Sequence, residues 1–261
     1  MSIPHHKPQN LGEYAMNFHA ESASVSVVLL GRFNPDKFLP ENLLAGKMIT
    51  KSVASAISIT TLLPGQTIQL KFALGDLLVA QDRFQLVTKD APYIRIADFA
   101  IKAVAELASD SVVTAFGINC ESEFHLLSVD ARNDLGIKLA PPGAWGKWGD
   151  SILKSMQDER KGTRLQGGVM FLQLRELFEE GDVNGWLDVS AMPSTFVPGA
   201  NGVLFKSNHH HQLTKNSIDP SDDKHNVNAR ESTLRLLDRL AETFDESISR
   251  AKTIFEGAIE S

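Results

Sequence analysis

Alternation of apolar and polar residues is the feature that most constrains the fold of this chain. In residues 23–33, Val25, Val27 and Leu29 alternate with Ser24 and Ser26. Such alternation predicts a β-strand with one buried face, because successive side chains of a strand point to opposite sides of the sheet. Apolar rows of this kind predict further strands over residues 53–59, 67–74, 77–88, 111–128, 165–178, 183–196 and 202–213.

Helical signals lie between these strands. Asn34 followed by Pro35 predicts the start of a short helix, and a second helix is expected to begin near residues 90–92. Residues 140–150 are predicted to form a loop, followed by a short helix over 151–158. A polar linker, 214–228, leads to a long C-terminal helix. Its apolar residues recur every three or four positions and form one stripe: Leu237, Leu240, Phe244, Ile248, Ala251 and Phe255.

This order of elements predicts an α+β fold built on antiparallel sheet. A flexible arm over residues 1–22 is expected to precede two α+β halves, 23–108 and 109–261. Each half is predicted to contain a strand, short helices, three strands and a helix, so the two halves are expected to be pseudo-repeats. They share no evident residue-level identity, and we expect them to pack as one unit.

Composition narrows the expected location and partners. The 26 basic and 32 acidic residues give a net charge of 26 − 32 = −6, which argues against a nucleic-acid binder. Cys120 is the single cysteine, so an intrachain disulfide is impossible and a reducing compartment is expected. The first residues lack a signal-peptide pattern, and no apolar run is long enough to span a membrane. These observations predict a cytoplasmic protein.

Sequence motifs for common catalytic chemistry are missing. The chain has no Walker A loop, GxGxxG, HExxH, CxxC or GxSxG motif, and no cofactor is expected. Cys120 is not expected to act as a nucleophile with His125, because residues five apart on a strand face opposite ways. The opposite face of that strand carries Asn119, Glu121, Glu123 and His125. This row is either an acid–base group or the solvated side of a half-covered sheet.

The histidine run contains a candidate metal site. His209 and His211 are two residues apart on a predicted strand and therefore project from the same face. Such a pair is a common pair of metal ligands, and His225 is the candidate third ligand. Asp222 and Asp223 are alternative third ligands. Two histidines in this position are equally consistent with hydrogen bonding to backbone carbonyls and no metal.

Two segments are candidates for binding a partner. Trp145 and Trp148 lie between regularly spaced glycines, which is typical either of a tight loop or of an aromatic platform for a ligand or partner. The C-terminal stripe extends over about five turns, which favours docking on a sheet or pairing with a second copy. Phe244 and Ile248 are its candidate contact residues.

Several short strings carry a resemblance to known proteins. In chain order, the sequence resembles a family of uncharacterised bacterial proteins over about residues 24–210, through its FNP, RF, GIN and LAP strings: Gly31-Arg32-Phe33-Asn34-Pro35, Asp82-Arg83-Phe84, Phe116-Gly117-Ile118-Asn119, and Leu139-Ala140-Pro141 with Trp145. At the level of fold, the strand-rich halves are similar to bacterial proteins with a SecB-chaperone-like sheet. Neither resemblance implies a catalytic residue.

Two functions from different classes are consistent with these observations. The first is a non-enzymatic protein that binds another protein, as an accessory of a bacterial defence, toxin-neutralising or chaperone-like system. Its partner is expected to be a second copy of the chain or a different protein. The alternative is a metal-dependent hydrolase that uses His209 and His211.

Overall fold

A computed structural model describes residues 20–156, 167–214 and 225–260, although of residues 225–228 it describes the backbone alone. The predicted N-terminal arm lies outside the described residues up to position 19. Strand β1 already includes Ser22. The described residues contain nine β-strands: β1 Ser22–Arg32, β2 Ser58–Leu63, β3 Thr67–Phe72, β4 Gly75–Ala80, β5 Arg83–Thr88, β6 Val112–His125, β7 Leu172–Glu180, β8 Val183–Pro193 and β9 Gly202–Leu213.

All nine strands belong to one sheet, in the order β2-β3-β4-β5-β1-β6-β9-β8-β7. Every pair of neighbours is antiparallel. Strands β1 and β6 pair from Ser22 opposite Glu123 to Arg32 opposite Val112, and this pairing joins the two halves of the chain. The expected α+β class is therefore confirmed.

Helices occupy the connections between strands and the end of the chain. The short 3₁₀ turn Pro35–Phe38 begins where predicted, and the Asn34 side chain accepts a hydrogen bond from the Asp36 N–H at 3.1 Å. A 3₁₀ turn, Pro142–Trp145, and a π-helical turn, Ala103–Leu107, add to the α-helices. The described residues form six α-helices: α1 Pro40–Ala45, α2 Lys51–Ser55, α3 Ile94–Lys102, α4 Val129–Leu139, α5 Gly146–Met156 and α6 His225–Glu260.

The main core lies between one face of the sheet and helices α3 and α6, and we call this the helix face of the sheet. Phe244 and Phe255 of α6 are buried there, and the Phe255 ring stacks on Phe205 of β9 at 5.4 Å. Thr233 Oγ1 of α6 accepts a hydrogen bond from the buried Val113 N–H at 3.0 Å. The apolar stripe predicted for the C-terminal helix is therefore used within the chain.

Two predictions for the first half are wrong in detail. The alternation over 53–59 was expected to be one strand, but helix α2 covers its start and β2 begins only at Ser58. Thr50 caps that helix, since its hydroxyl accepts a hydrogen bond from the Val53 N–H at 3.3 Å. The expected single strand 77–88 is instead the β4–β5 hairpin, so the first half has four strands after its helices and not three.

In the second half, several boundaries differ from prediction. Residues 140–150 are not a loop, because a 3₁₀ turn and the start of α5 occupy them, and α5 begins at Gly146 instead of residue 151. Helix α4 was not predicted. Strand β7 begins at Leu172 instead of residue 165. Of the segment 165–171, residues 165 and 166 lie outside the described residues.

The two halves follow a related path through the sheet. Each starts at a central strand, β1 or β6, then crosses to an outer strand and returns strand by strand to the centre. The first half uses four returning strands and the second half three. That the halves superpose as pseudo-repeats stays a prediction.

Candidate functional site

The histidine run lies on β9, and its members face opposite sides of the sheet as predicted. His209 and His211 point to the helix face, where their ring centroids are 4.3 Å apart. His211 stacks on Phe116 of β6 at 4.5 Å and contacts Phe178 of β7 at 4.9 Å. Ser247 Oγ of α6 lies 2.7 Å from His209 Nδ1. The pair is therefore packed beneath α6 among aromatic rings.

Burial determines the protonation state of His209 and His211. His211 is 1% exposed, and neither of its ring nitrogens has a hydrogen-bond partner among the described residues. Burial, with the neighbouring His209 and His210, lowers the pKa of His211 to about 3. Burial also lowers the pKa of His209. Both rings are therefore neutral near pH 7.

A third metal ligand is not found in the part of the chain that the structure describes. Within it, no group of three His, Cys, Asp or Glu side chains is arranged to hold a metal ion. The His225 side chain, and both Asp222 and Asp223, lie outside the described residues. The structure thus brings together two of the predicted ligands, His209 and His211, and leaves the third untested.

Cys120 also lies on the helix face, as its apolar neighbours on alternate positions predicted. It is a buried free cysteine. Burial raises the pKa of the Cys120 thiol to about 11, although a hydrogen bond with Ser207 acts in the opposite direction. A thiol of this kind is a poor nucleophile at neutral pH.

The opposite face of the sheet carries no helix among the described residues, and we call it the open face. It holds the predicted row Asn119, Glu121, Glu123 and His125. Lys206 of β9 donates a hydrogen bond to Glu121 at 2.7 Å, and Asn119 donates one to Ser26 at 3.2 Å. Asn119, Glu121 and Glu123 are thus only half-buried, and the first two are paired across strands, as in a solvated sheet face.

Further along the open face, three side chains from β7, β8 and β9 form a stack. The Arg175 guanidinium lies 4.6 Å from the Trp186 ring, which in turn stacks on His210 at 4.0 Å. Arg175 also donates two hydrogen bonds to Asp188, both at 2.6 Å, and this contact lowers the pKa of the Asp188 carboxyl. Asp188 and His210 also line a groove of about 510 Å³ on this face.

Trp145 and Trp148 lie away from this stack, where a 3₁₀ turn is followed directly by α5. Gly146 between them has a φ of 54°, a left-handed conformation that glycine tolerates without strain. Gly149 packs so closely that a Cβ there would lie 1.9 Å from the Pro142 carbonyl oxygen. The two indole rings meet edge to face at 5.5 Å. These glycines allow the turn that brings both tryptophans to the surface.

The tryptophans form one wall of an apolar groove of about 430 Å³. We call it the aromatic groove and define it by Trp145, Trp148, Met170 and Phe171, which are 60%, 62%, 54% and 57% exposed. Leu172, the first residue of β7, also lines it, and none of the lining residues that the structure describes carries a charged side chain. Four large apolar side chains are therefore exposed to solvent in one place.

Next to the aromatic groove runs β7, the last strand of the sheet. Its residues are exposed on both faces. Leu174 points to the helix face and is 67% exposed, whereas Leu177 points to the open face and is 74% exposed. Sequence reasoning did not single out these leucines. The sequence did contain a signal that both faces of this strand are exposed. Leu174 and Leu177 are three residues apart, so on a strand they face opposite sides of the sheet, and neither side carries one clear apolar row.

The other candidate contact residues lie elsewhere. Phe244 is fully buried in the core, and Ile248 is partly buried and packs against it. The hypothesis that these residues of α6 form a surface for a partner is not consistent with this placement, because the residues of the stripe already contact the chain's own sheet. The aromatic groove and β7 therefore form the exposed apolar surface nearest to the predicted tryptophan site.

Two comparisons of the sequence with known proteins find no match. The sequence matches no protein-family model and shows no significant similarity to a curated protein. Among the described residues, no helix is both long enough and apolar enough to cross a membrane.

Proposed function

We propose that this chain is a non-enzymatic, chaperone-like protein that binds apolar segments of other polypeptides in the aromatic groove. The observation that carries the proposal is the shared exposure of Trp145, Trp148, Met170 and Phe171. Isolated exposed apolar residues are common on proteins, but a contiguous group of this size is typical of an interaction site.

The chemistry of the groove supports a polypeptide as the ligand. Tryptophan and phenylalanine supply large contact areas at binding hot spots, and the flexible thioether of methionine adapts to different side chains. Because none of the described lining residues is charged, this part of the groove favours apolar segments. A role in the bacterial cytoplasm belongs to the same proposal.

The polar side chains that are candidates for catalysis give less support to an enzymatic function than the groove gives to binding. His209 and His211 lie beneath α6, and the open-face carboxylates Glu121 and Asp188 are held by Lys206 and Arg175. The metal-dependent hydrolase remains the alternative prediction. Elemental analysis of the purified full chain separates the two, because one bound metal ion per chain that is lost in a His209→Ala, His211→Ala variant would support the hydrolase.

Binding is tested with a permanently unfolded chain, such as a reduced, carboxymethylated and fluorescently labelled protein, and fluorescence anisotropy as the readout. The double variant Trp145→Ser, Trp148→Ser is expected to weaken binding by about tenfold or more, since both exposed tryptophans form a wall of the groove and tryptophan is a common binding hot spot. Circular dichroism verifies that the variant is folded. Both side chains are exposed, so their replacement should leave the core intact.

A matched control is available at the other edge of the sheet. Leu62 and Leu63 of β2 are also exposed apolar residues, and they lie far from the groove in the strand order. The variant Leu62→Ser, Leu63→Ser is expected to bind the unfolded chain within about twofold of the wild type. Equal binding by the wild type and the tryptophan variant would show that the groove is not the site.

A further inference from the structure

The unpaired edge of β7 lies next to the aromatic groove and offers backbone hydrogen-bonding groups to a bound polypeptide. We propose that the bound segment is an extended, basic and apolar polypeptide that adds to the sheet as a tenth strand beside β7. This inference rests on the proposed function, because it identifies the kind of polypeptide that the groove receives and the way in which its backbone is held.

The hydrogen-bonding capacity of β7 is the first argument. The strand pairs with β8 over its whole length, from Leu172 opposite Ala191 to Glu180 opposite Val183. Among the described strands it has no partner on its other side. Its nine residues therefore present a backbone edge of about 30 Å, with N–H and C=O groups in the spacing that an added strand requires.

The side chains of β7 are the second argument. Proteins usually protect an edge strand with charges, proline, a bulge or a covering loop. Strand β7 does carry charged residues, but Leu174 and Leu177 remain exposed on its opposite faces. An added strand would cover part of both leucines, since its side chains alternate between the same two faces.

Continuity with the groove is the third argument. Leu172 belongs to β7 and also lines the aromatic groove, where Phe171 precedes it in the chain. A polypeptide that pairs with β7 as far as Leu172 therefore reaches the groove. Backbone pairing and apolar side-chain binding would act on one continuous segment.

Charge identifies the chemistry of the occupant. Strand β7 contains Arg175 and three glutamates, and together with the ion-pair partners Asp188, Arg239 and Arg250 the local charge is 3 − 4 = −1. Asp188 pairs with Arg175, Arg250 donates a hydrogen bond to Glu176 at 2.6 Å, and Arg239 pairs with Glu180. Glu179 is exposed and has no ion-pair partner among the described residues. A basic strand is favoured here, whereas the β7 strand of a second copy would bring the same negative charge.

The test uses the full chain and a labelled nonapeptide of alternating lysine and valine residues with phenylalanine at one end. Two further peptides carry N-methyl groups on either the odd or the even residues. In an antiparallel or parallel pair, only alternate residues donate hydrogen bonds to a given neighbour. We therefore expect one N-methylated peptide to bind about tenfold more weakly than the parent peptide and the other to bind like the parent.

Variants of the protein test whether the negative charge of β7 contributes to peptide binding. Glu179→Lys is expected to weaken binding of the lysine-containing peptide by about threefold to tenfold, an effect that high salt should reduce. The matched control is Glu41→Lys, which makes the same charge change on the exposed surface of α1. A peptide with glutamate in place of lysine is expected to bind more weakly than the parent.

The possible failures are distinguishable. Equal binding of all N-methylated peptides, with binding still lost in Trp145→Ser, Trp148→Ser, would overturn strand addition but leave the proposed function intact. Binding that is unaffected by the tryptophan variant would overturn the proposed function itself. A dimer in sedimentation that is abolished by Leu174→Lys, with no peptide binding, would show that a second copy occupies β7 and would overturn the basic partner.

Discussion

Acid is expected to destabilise this protein through His211. In the folded chain the ring lies between Phe116 and Phe178, and burial lowers its pKa to about 3. In the unfolded chain a histidine titrates near pH 6.5. Because the unfolded state binds the proton more readily, the stability contributed by neutral His211 is fully present above about pH 6.5. It is lost as the pH falls from there towards 3.

The size of the effect follows from the two pKa values. At pH 5 the unfolded histidine is almost fully protonated and the folded one almost fully neutral, so the free energy of unfolding should drop by about 2 kcal/mol relative to pH 8. His209 and His210 titrate in the same direction, because burial lowers the pKa of each. The wild type is therefore expected to lose more than the share of His211 alone.

The perturbation that isolates His211 is His211→Leu. Leucine keeps an apolar side chain between the phenylalanine rings, and no hydrogen bond to a described residue is lost, since neither ring nitrogen has such a partner. The variant should therefore be folded at pH 8. Between pH 8 and pH 5 it should lose about 2 kcal/mol less stability than the wild type.

Urea denaturation at a series of pH values measures this difference. His125→Gln serves as the control for loss of a histidine, because His125 is exposed and lies on the open face, away from the cluster. That variant is expected to follow the wild-type curve. Parallel stability curves for the wild type and His211→Leu over this range would refute the reasoning.

Three further results are expected. Cys120 is buried, and the pKa of its thiol is raised to about 11. It should therefore react with a thiol reagent at pH 8 only as fast as the chain unfolds, and rapid modification of the folded protein would contradict this. Thr233→Val should cost about 1–3 kcal/mol in urea denaturation by leaving the buried Val113 N–H unpaired, whereas the exposed Thr253→Val should cost much less. Phe244→Ala should lower the free energy of unfolding by about 3–5 kcal/mol. Truncation after Asn226 should leave an insoluble or molten chain at any concentration, because α6 completes the core. A truncated chain that is folded and monomeric would contradict this.

The central strands were predictable from the sequence because each has one fully buried face. On β9, and on β6 from Phe116 to Phe124, the residues that face the helices alternate without interruption, so the faces of Cys120 and His211 followed from period two. The bounds of β9 agree with the prediction residue for residue. The same logic correctly separated His209 and His211 from His210.

The β4–β5 hairpin was missed although a signal was present. Its buried residues are Leu77 and Val79 on one strand but Phe84 and Leu86 on the next. The change from odd to even positions is impossible within one regular strand and marks the turn near Asp82. Helix α2 was missed for a different reason, because the alternation around Val53 outweighed the capping signal of Thr50.

The candidate site was only half predictable. Trp145 and Trp148 stand out in the sequence, but the groove depends on Met170 and Phe171, which the fold brings next to them. The exposed edge of β7 depends on strand order, and local patterns do not determine which strand of an antiparallel sheet is outermost. The C-terminal stripe pointed to Phe244 and Ile248, but periodicity alone does not tell an intramolecular contact from a partner surface.

Hydrogen–deuterium exchange of the full chain, with and without the unfolded carboxymethylated protein, shows directly whether a polypeptide binds in the aromatic groove and beside β7. We expect slower exchange in two segments on binding: β7, Leu172–Glu180, and the groove residues around Trp145, Trp148 and Phe171. Exchange in β2, the opposite edge strand, should not change. Slower exchange confined to β2 or to the open face, or unchanged exchange in β7 and the groove at saturating ligand, would contradict this expectation.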